Sequence, residues 1–168
     1  MSAHPQAKLA MRPMLAEDVP LLAEIFRAAI EELTSDDYSE AQQEAWAEAA
    51  DDLEAFGTRL TGALTLVATH SGSAVGFASL ADNARIDMLY VHPGAAGQGV
   101  GGMLIDALEK LAAGRGTTEL SVEASDTARD FFENRGFIAK SRNTVLRAGE
   151  WLANTTMTKP LGAKDKPS

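Results

Sequence analysis

The sequence predicts a mixed α/β fold of the α+β kind, a mostly antiparallel twisted sheet flanked by helices. Three observations predict it. Runs rich in β-formers at 64–69, 74–80 and 85–91 follow one another across short turns, which marks an antiparallel meander. A strand, a glycine-rich loop, a helix and a second strand then fill 85–124, the order of a parallel pair joined by a crossover. Two last runs, 143–147 and 151–158, linked by Ala148-Gly-Glu150, close the chain as a hairpin.

Taken in order, 8–14 reads as a short edge strand, because Pro13 cannot donate to a ladder and marks its end. A helix follows, with Val19, Leu22, Phe26, Ala29, Ile30 and Leu33 in one apolar stripe, Glu17 and Asp18 at the positive end of its dipole and Pro20 in its first turn. Ser39-Glu-Ala-Gln42 has the spacing of a capping box and opens a helix through Ala47. Another helix covers Asp52 to Leu60. After the meander and the loop, Gly114-Arg-Gly116 stops the loop helix, and 118–124 alternates Leu120, Val122 and Ala124 against Ser121 and Glu123. Ser125 or Asp126 caps a short helix from Thr127 to Arg135.

With 168 residues, 45% of them hydrophobic, the chain is long enough for one sizeable core, expected over 1–158, with 159–168 as a loose polar tail. A net charge of −9 argues against nucleic acid and anionic membranes as partners. The absence of cysteine excludes thiol nucleophiles, disulfides and zinc–thiolate sites. No run approaches the ~20 apolar residues of a membrane span, and the first residues have no apolar leader core. A soluble, cytoplasmic protein without a metal is expected.

The stretch Val91-His-Pro-Gly-Ala-Ala-Gly-Gln-Gly-Val-Gly-Gly102 carries the chemistry. Glycines at 97, 99, 101 and 102 let a ligand approach the backbone, and the helix that follows offers unpaired N–H groups to a phosphate or pyrophosphate. A tight turn is the plain alternative. Gly97, Gly99 and Gly102 also match G-x-G-x-x-G, with Glu119 or Glu123 about 20 residues on, as a dinucleotide fold requires. Two facts oppose that fold. Residues 92–96 separate the strand from Gly97, and too little chain remains for further strand–helix pairs. No Gly-Lys-Ser or Gly-Lys-Thr completes a Walker loop.

The order of elements, with L-Y-V-H-P at 89–93, G-Q-G-V-G-G at 97–102 and A-R-D-F-F-E-N-R-G-F at 128–137, resembles the GCN5-related N-acetyltransferases over about Met11 to Thr158. Tyr38-Ser-x-x-Gln42-x-x-x-Trp46, Val122-Glu-Ala-Ser125 and the late Val145 to Lys159 pattern resemble its YafP-like branch. The resemblance implies two central strands, 85–91 and 118–124, that splay apart around acetyl-CoA as co-substrate. It places the backbone of Leu89, Tyr90 and Val91 on the pantetheine and acetyl groups. It places the amides of Gly97, Gln98, Gly99, Val100, Gly101 and Gly102 on the pyrophosphate, with Asp126 and Phe132 beside the cofactor. The acceptor it implies is a primary amine of a small molecule or peptide, acetylated directly without a covalent enzyme intermediate. A homodimer is one assembly it leaves open.

Three departures from the family pattern stand out. Ala96 lies where relatives carry Arg or Gln. Phe132 replaces the tyrosine that in many relatives protonates the leaving thiolate, and Asp126 stands for the Asn that caps the same helix. The reaction needs a base for the amine proton and an acid for the thiolate. Glu123, near the cleft end of its strand, is the first candidate for the base and Asp87 the second. Tyr90 or Tyr38 is the candidate acid, and water the substitute. Tyr38, Trp46 and Asn154 are expected to shape the acceptor pocket, and His92 is read as a loop residue. Ten acidic residues and no Lys or Arg lie between Glu31 and Glu54. They are either solvated helix faces or a lid that attracts a cationic acceptor. A module that binds acyl-CoA as a sensor, without turnover, is the competing reading.

Overall fold

Seven strands form one sheet in the order β1-β2-β3-β4-β5-β7-β6, in a computed structural model that describes residues 8–161. β1 (Leu9–Pro13) is the expected edge strand, and β2 (Leu64–His70), β3 (Ser73–Ala81) and β4 (Arg85–Val91) form the expected meander. β4 runs parallel to β5 (Glu119–Ser125), and every other neighbouring pair is antiparallel. The parallel pair holds only two rungs, Arg85 with Ser121 and Ile86 with Val122. Beyond Val122 the two strands part, so the sheet opens into a wedge.

Helices cover both faces because alternate residues of each strand are apolar in opposite directions. Leu120, Val122 and Ala124 of β5 pack with Leu104, Ile105 and Leu108 of α4 (Val100–Gly114) and Phe132 of α5 (Arg129–Asn134). On the other face Val67, Phe77 and Met88 pack against Leu22, Phe26 and Ile30 of α1 (Val19–Leu33), Ala47 of α2 (Glu40–Ala47) and Phe56 and Leu60 of α3 (Leu53–Thr61). Burying each large side chain of this kind stabilises the fold by roughly 1.5–3 kcal/mol. Leu33, at the end of the predicted α1 stripe, is 39% exposed instead.

The capping box read from the sequence forms. Ser39 accepts from the Gln42 amide at 3.1 Å while the Gln42 side chain accepts from the Ser39 amide at 2.8 Å. Asp52 caps α3 through the Ala55 amide, 3.1 Å away. Ahead of α1, the Asp18 carboxylate is held by Arg12 at 2.7 and 2.8 Å and by the Leu15 amide at 2.7 Å. The hydrogen-bonded Arg12 guanidinium keeps Asp18 below the usual carboxylate range, against the opposing effect of burial.

One irregularity sets the site. Leu80 pairs with Ile86 and Ser79 with Met88, so Asp87 is an extra residue with no partner on β3. This bulge breaks the alternation. Ile86 faces the α4 core and Met88 the α1 core, where an unbroken strand would put both on one face. A second device is the close approach at Gly76: a Cβ there would sit 3.0 Å from the Tyr90 carbonyl oxygen and 3.1 Å from Val100. Glycine at this position lets the first turn of α4 lie against β3.

Three expectations need correction. The closing hairpin is longer than predicted, β6 spanning Ile138–Arg147 and β7 Glu150–Pro160. β6 is an exposed edge rich in polar residues, so it lacks the apolar alternation that announces a strand. Residues 159 and 160 therefore belong to β7 rather than to a tail, and Leu161 is buried, its amide donating to the Thr118 carbonyl at 2.7 Å. The rest of the expected tail, 162–168, lies outside the described residues. α5 starts at Arg129 rather than 127, because Asp126, Thr127 and Ala128 form the turn before it. No helix among the described residues is long and apolar enough to cross a membrane.

Candidate active site

The wedge between β4 and β5 is the centre of a cavity of about 900 Å³. It runs from the glycine loop at 95–102, past β4 and the end of β5, to α1, α2 and the tip of the β6–β7 hairpin. The walls differ along its length. Near the loop they are backbone and small residues; near α3 and the hairpin they carry charge.

At the loop end, Gly99 adopts φ +85°, a left-handed conformation that side chains resist, and α4 starts at the next residue. The amide of Met103 is the first to pair within the helix, donating to the Gly99 carbonyl at 3.0 Å. The N–H groups of Val100, Gly101 and Gly102 thus have no helical partner and face the cavity end of the dipole. A Cβ at Gly99 would meet nothing within 4 Å, which leaves open space over these amides. Ala96 lines this end without offering a donor. Gln98 is not in the wall, and its amide group reaches back to the Gly94 carbonyl at 3.5 Å.

β4 supplies a second set of backbone groups. The His92 amide donates to the Val75 carbonyl at 2.8 Å, which turns even-numbered residues towards β3. By strand alternation the amides and carbonyls of Leu89 and Val91 point the other way, into the wedge where β5 has departed. His92 itself caps the turn that follows, its Nδ1 accepting from the Gly94 amide at 3.0 Å, as its reading as a loop residue anticipated.

The expected proton carriers lie in the cavity wall, but their hydrogen bonds divide them. Glu123 lines the cavity on the face shared with Ser121, and its one neighbour within bonding range among the described residues is the Thr156 hydroxyl at 3.5 Å. Asp87 also lines it, yet both oxygens are taken, by Arg59 at 2.8 and 3.1 Å and by Arg85 at 2.8 Å. Burial alone would raise the Asp87 pKa; the two guanidinium groups outweigh it and hold the carboxyl low. A carboxylate so held is a weak base.

The tyrosines are committed too. Tyr90 packs edge-on against Phe26 with ring centres 4.6 Å apart, and its hydroxyl accepts from Trp46 Nε1 at 3.1 Å. Burial pushes its pKa up to about 12. A phenol raised so far is a poor proton donor to a departing thiolate. The Tyr38 hydroxyl donates to the Ala153 carbonyl at 2.7 Å and accepts from the Asp126 amide at 2.9 Å. It ties the α1–α2 connection to β7 and to the start of α5, rather than aiming a proton at the cavity. Its ring and Trp46 stand 5.3 Å apart, and both line the wall, as does Asn154. The side chain of Asn154 accepts from Asn143 at 2.9 Å.

Asp126 is not the helix cap. Ala128 holds that place with no side-chain cap; the Ser125 hydroxyl oxygen accepts from the Ala128 amide at 3.1 Å in the turn before the helix, while Asp126 pairs outward with Arg142 at 2.6 and 3.0 Å. Asp126 does not line the cavity, and Ser125 does. Phe132 does, buried between Phe131 and Phe137 with both ring centres 5.1 Å away.

Several site residues escaped the sequence reading: Ser125, Arg59, Arg85 and Arg147 in the wall, and Arg135 beside the loop. Arg135 packs over the Phe131 ring at 5.6 Å, pairs with Asp106 and reaches the Gly102 carbonyl at 3.4 Å. Together with Lys110 it lines a second hollow against Gly99 and Gly102. Arg135 sits inside the 128–137 motif, so its charge was visible and its target was not. Among the described residues no group of three or more His, Asp or Glu is placed to hold a metal ion.

Comparison with known proteins agrees with this geometry. The acetyltransferase (GNAT) domain profile matches residues 34–161. The chain is 34% identical over 140 residues to the uncharacterized N-acetyltransferase YafP of Escherichia coli K12, covering 83% of this chain and 88% of that protein. The structure of a GCN5-related N-acetyltransferase from Rhodopseudomonas palustris is similar at TM-score 0.91 and 60% identity, over 95% of this chain and 100% of that one. The PaiA N-acetyltransferase of Thermoplasma acidophilum, solved with coenzyme A, shares the fold at TM-score 0.74 and 20% identity, over 91% and 99% of the two chains.

Proposed function

The chain belongs to the GNAT acetyltransferase family, and from that premise we propose that it moves an acetyl group from acetyl-CoA directly to a primary amine of a small molecule or peptide. One observation carries the reading. The wedge exposes backbone groups of Leu89 and Val91 within the same cavity as the free amides of Val100 to Gly102. An acyl-pantetheine arm terminated by a pyrophosphate requires those two sets of donors in that order. Arg135 and Lys110, at the outer side of the loop, add positive charge for the phosphates and offset the missing side chain at Ala96.

Acetyl-CoA supplies the thioester carbon that the amine attacks. A carbon–nitrogen bond forms as the carbon–sulfur bond breaks. An amide of the exposed β4 edge, Leu89 or Val91, donates to the carbonyl oxygen as it gains charge. Glu123 takes the proton of the attacking nitrogen, directly or through one water, because it is the carboxylate at the wedge that no guanidinium occupies. The Ser125 hydroxyl, whose oxygen is fixed by the Ala128 amide and whose proton has no protein acceptor among the described residues, is placed to donate a hydrogen bond to the departing thiolate, which takes its proton from water. Phe132 contributes an apolar wall that excludes water.

Calorimetry with acetyl-CoA, followed by thiol release over a panel of primary amines, tests this reading. Binding with release dependent on an added amine is the expected result. Binding without release from any amine would favour a sensor of acyl-CoA, and no binding at all would remove the proposal.

A further inference from the structure

The acidic 31–54 segment suggested a cationic acceptor, but the folded chain turns most of that charge away. Of its ten carboxylates only Glu48 lines the cavity. The wall carries three arginines, Arg59, Arg85 and Arg147, together with the carboxylates of Glu48, Asp87 and Glu123. Arg59 and Arg85 converge on one carboxylate, Asp87, whose side chain is 12% exposed, while theirs are 49% and 46% exposed. Two guanidinium groups against one carboxylate leave a surplus positive charge. Arg59 Nη1 and Arg85 Nη2 have no protein acceptor among the described residues. Arg147, at the tip of the hairpin, donates only to the carbonyl of its own neighbour Leu146, at 3.1 Å.

The placement of this charge matters more than its sum. Asp87 follows the last rung of the parallel ladder on β4, and Glu123 follows it on β5. Both point to the α1–α3 face. An unclamped carboxylate and a surplus guanidinium charge therefore face each other across the mouth of the wedge. We propose that the acceptor is a primary amine that also carries a carboxylate, as an amino acid does. Its nitrogen lies towards Glu123. Its carboxylate is received by the unused donors of Arg85 and Arg59, with Arg147 closing over it from the hairpin. Asp87 is the positioning residue: it holds the two guanidinium groups in place before the acceptor arrives, so little side-chain entropy is lost on binding.

This inference rests on the acetyltransferase reading above and is tested apart from it. Thiol release from acetyl-CoA is measured with amino acids, with the corresponding amino acid amides, and with diamines. The acids are expected to exceed their amides by roughly tenfold in kcat/KM, the factor that one charge-assisted pair of about 1.4 kcal/mol supplies. In Arg85→Gln and, independently, in Arg147→Gln, that preference should fall towards unity through a higher KM for the acid. If amides or diamines are turned over as well as the acids, the inference is overturned and the acetyltransferase reading stands. Acetyl-CoA binding without release from any acid also overturns it. Failure to bind acetyl-CoA at all removes the reading on which it rests.

Discussion

Asp87 and Glu123 are the first residues past the last rung of the β4–β5 ladder, on the same face of the sheet and on opposite sides of the wedge. Two arginines clamp Asp87, and none reaches Glu123. Two carboxylates that are equivalent by position thus have different chemistry. One organises charge, and the other is available to accept a proton.

Glu123→Gln should therefore lower kcat by about 10²–10³, within the range of a lost general base, and leave the affinity for acetyl-CoA unchanged. Steady-state rates, paired with calorimetry, check both parts; an unaltered kcat in the variant removes Glu123 from the mechanism.

Gly99→Ala places a Cβ on a residue at φ +85°. The cavity has room for the methyl, so the cost is conformational, about 1–2 kcal/mol. We expect a lower Tm and weaker acetyl-CoA binding, since α4 could relieve the strain only by shifting the free amides of its first turn. Thermal unfolding and calorimetry on one preparation measure the two effects together.

Tyr38→Phe removes one hydrogen bond to β7 and one from the Asp126 amide. Stability should fall by about 1–3 kcal/mol in denaturant unfolding, while the alkaline limb of kcat keeps its midpoint. A shifted alkaline midpoint would instead return this hydroxyl to the proton-transfer path.

Asp18 gives the acid stability a predictable sign. Its folded pKa lies below the unfolded value of ~3.9 because Arg12 and the Leu15 amide bind the charged form. The stabilisation is thus complete above that value and is lost as pH falls through the folded pKa. Asp18→Asn should cost about 1–2 kcal/mol near neutral pH and less once the pH falls through the folded pKa, where the native carboxylate also takes up its proton. The difference in Tm between the two proteins should narrow as the pH is lowered from 7 into the acid range.

Local signals were legible wherever a single element produced them. The capping box at Ser39, the glycines ahead of α4, the meander and the alternation of β5 are each written in consecutive residues, and the folded chain keeps them. Signals that depended on a distant partner misled. Ser125 or Asp126 was the expected cap of α5; Asp126 pairs instead with Arg142, 16 residues on, and the helix starts from Ala128 without a side-chain cap. Tyr38, a candidate proton donor, gives its proton to the Ala153 carbonyl, and Tyr90 is buried with its oxygen accepting from Trp46. The polar β6 and the end of β7 hid because an exposed edge strand needs no apolar pattern.

By itself, the sequence determined that a strand, an open loop and a helix would present unpaired amides, because glycine positions and apolar periodicity act within a few residues. Tertiary structure alone decided where β4 and β5 part, which of the two carboxylates there is left unclamped, and that arginines from α3, β4 and the β6–β7 hairpin share one cavity. Those outcomes depend on the Asp87 bulge and on side chains that meet across 28 residues or more, as Arg59 and Asp87 do. The pairing of distant charges is set by packing, and local propensity carries no record of it.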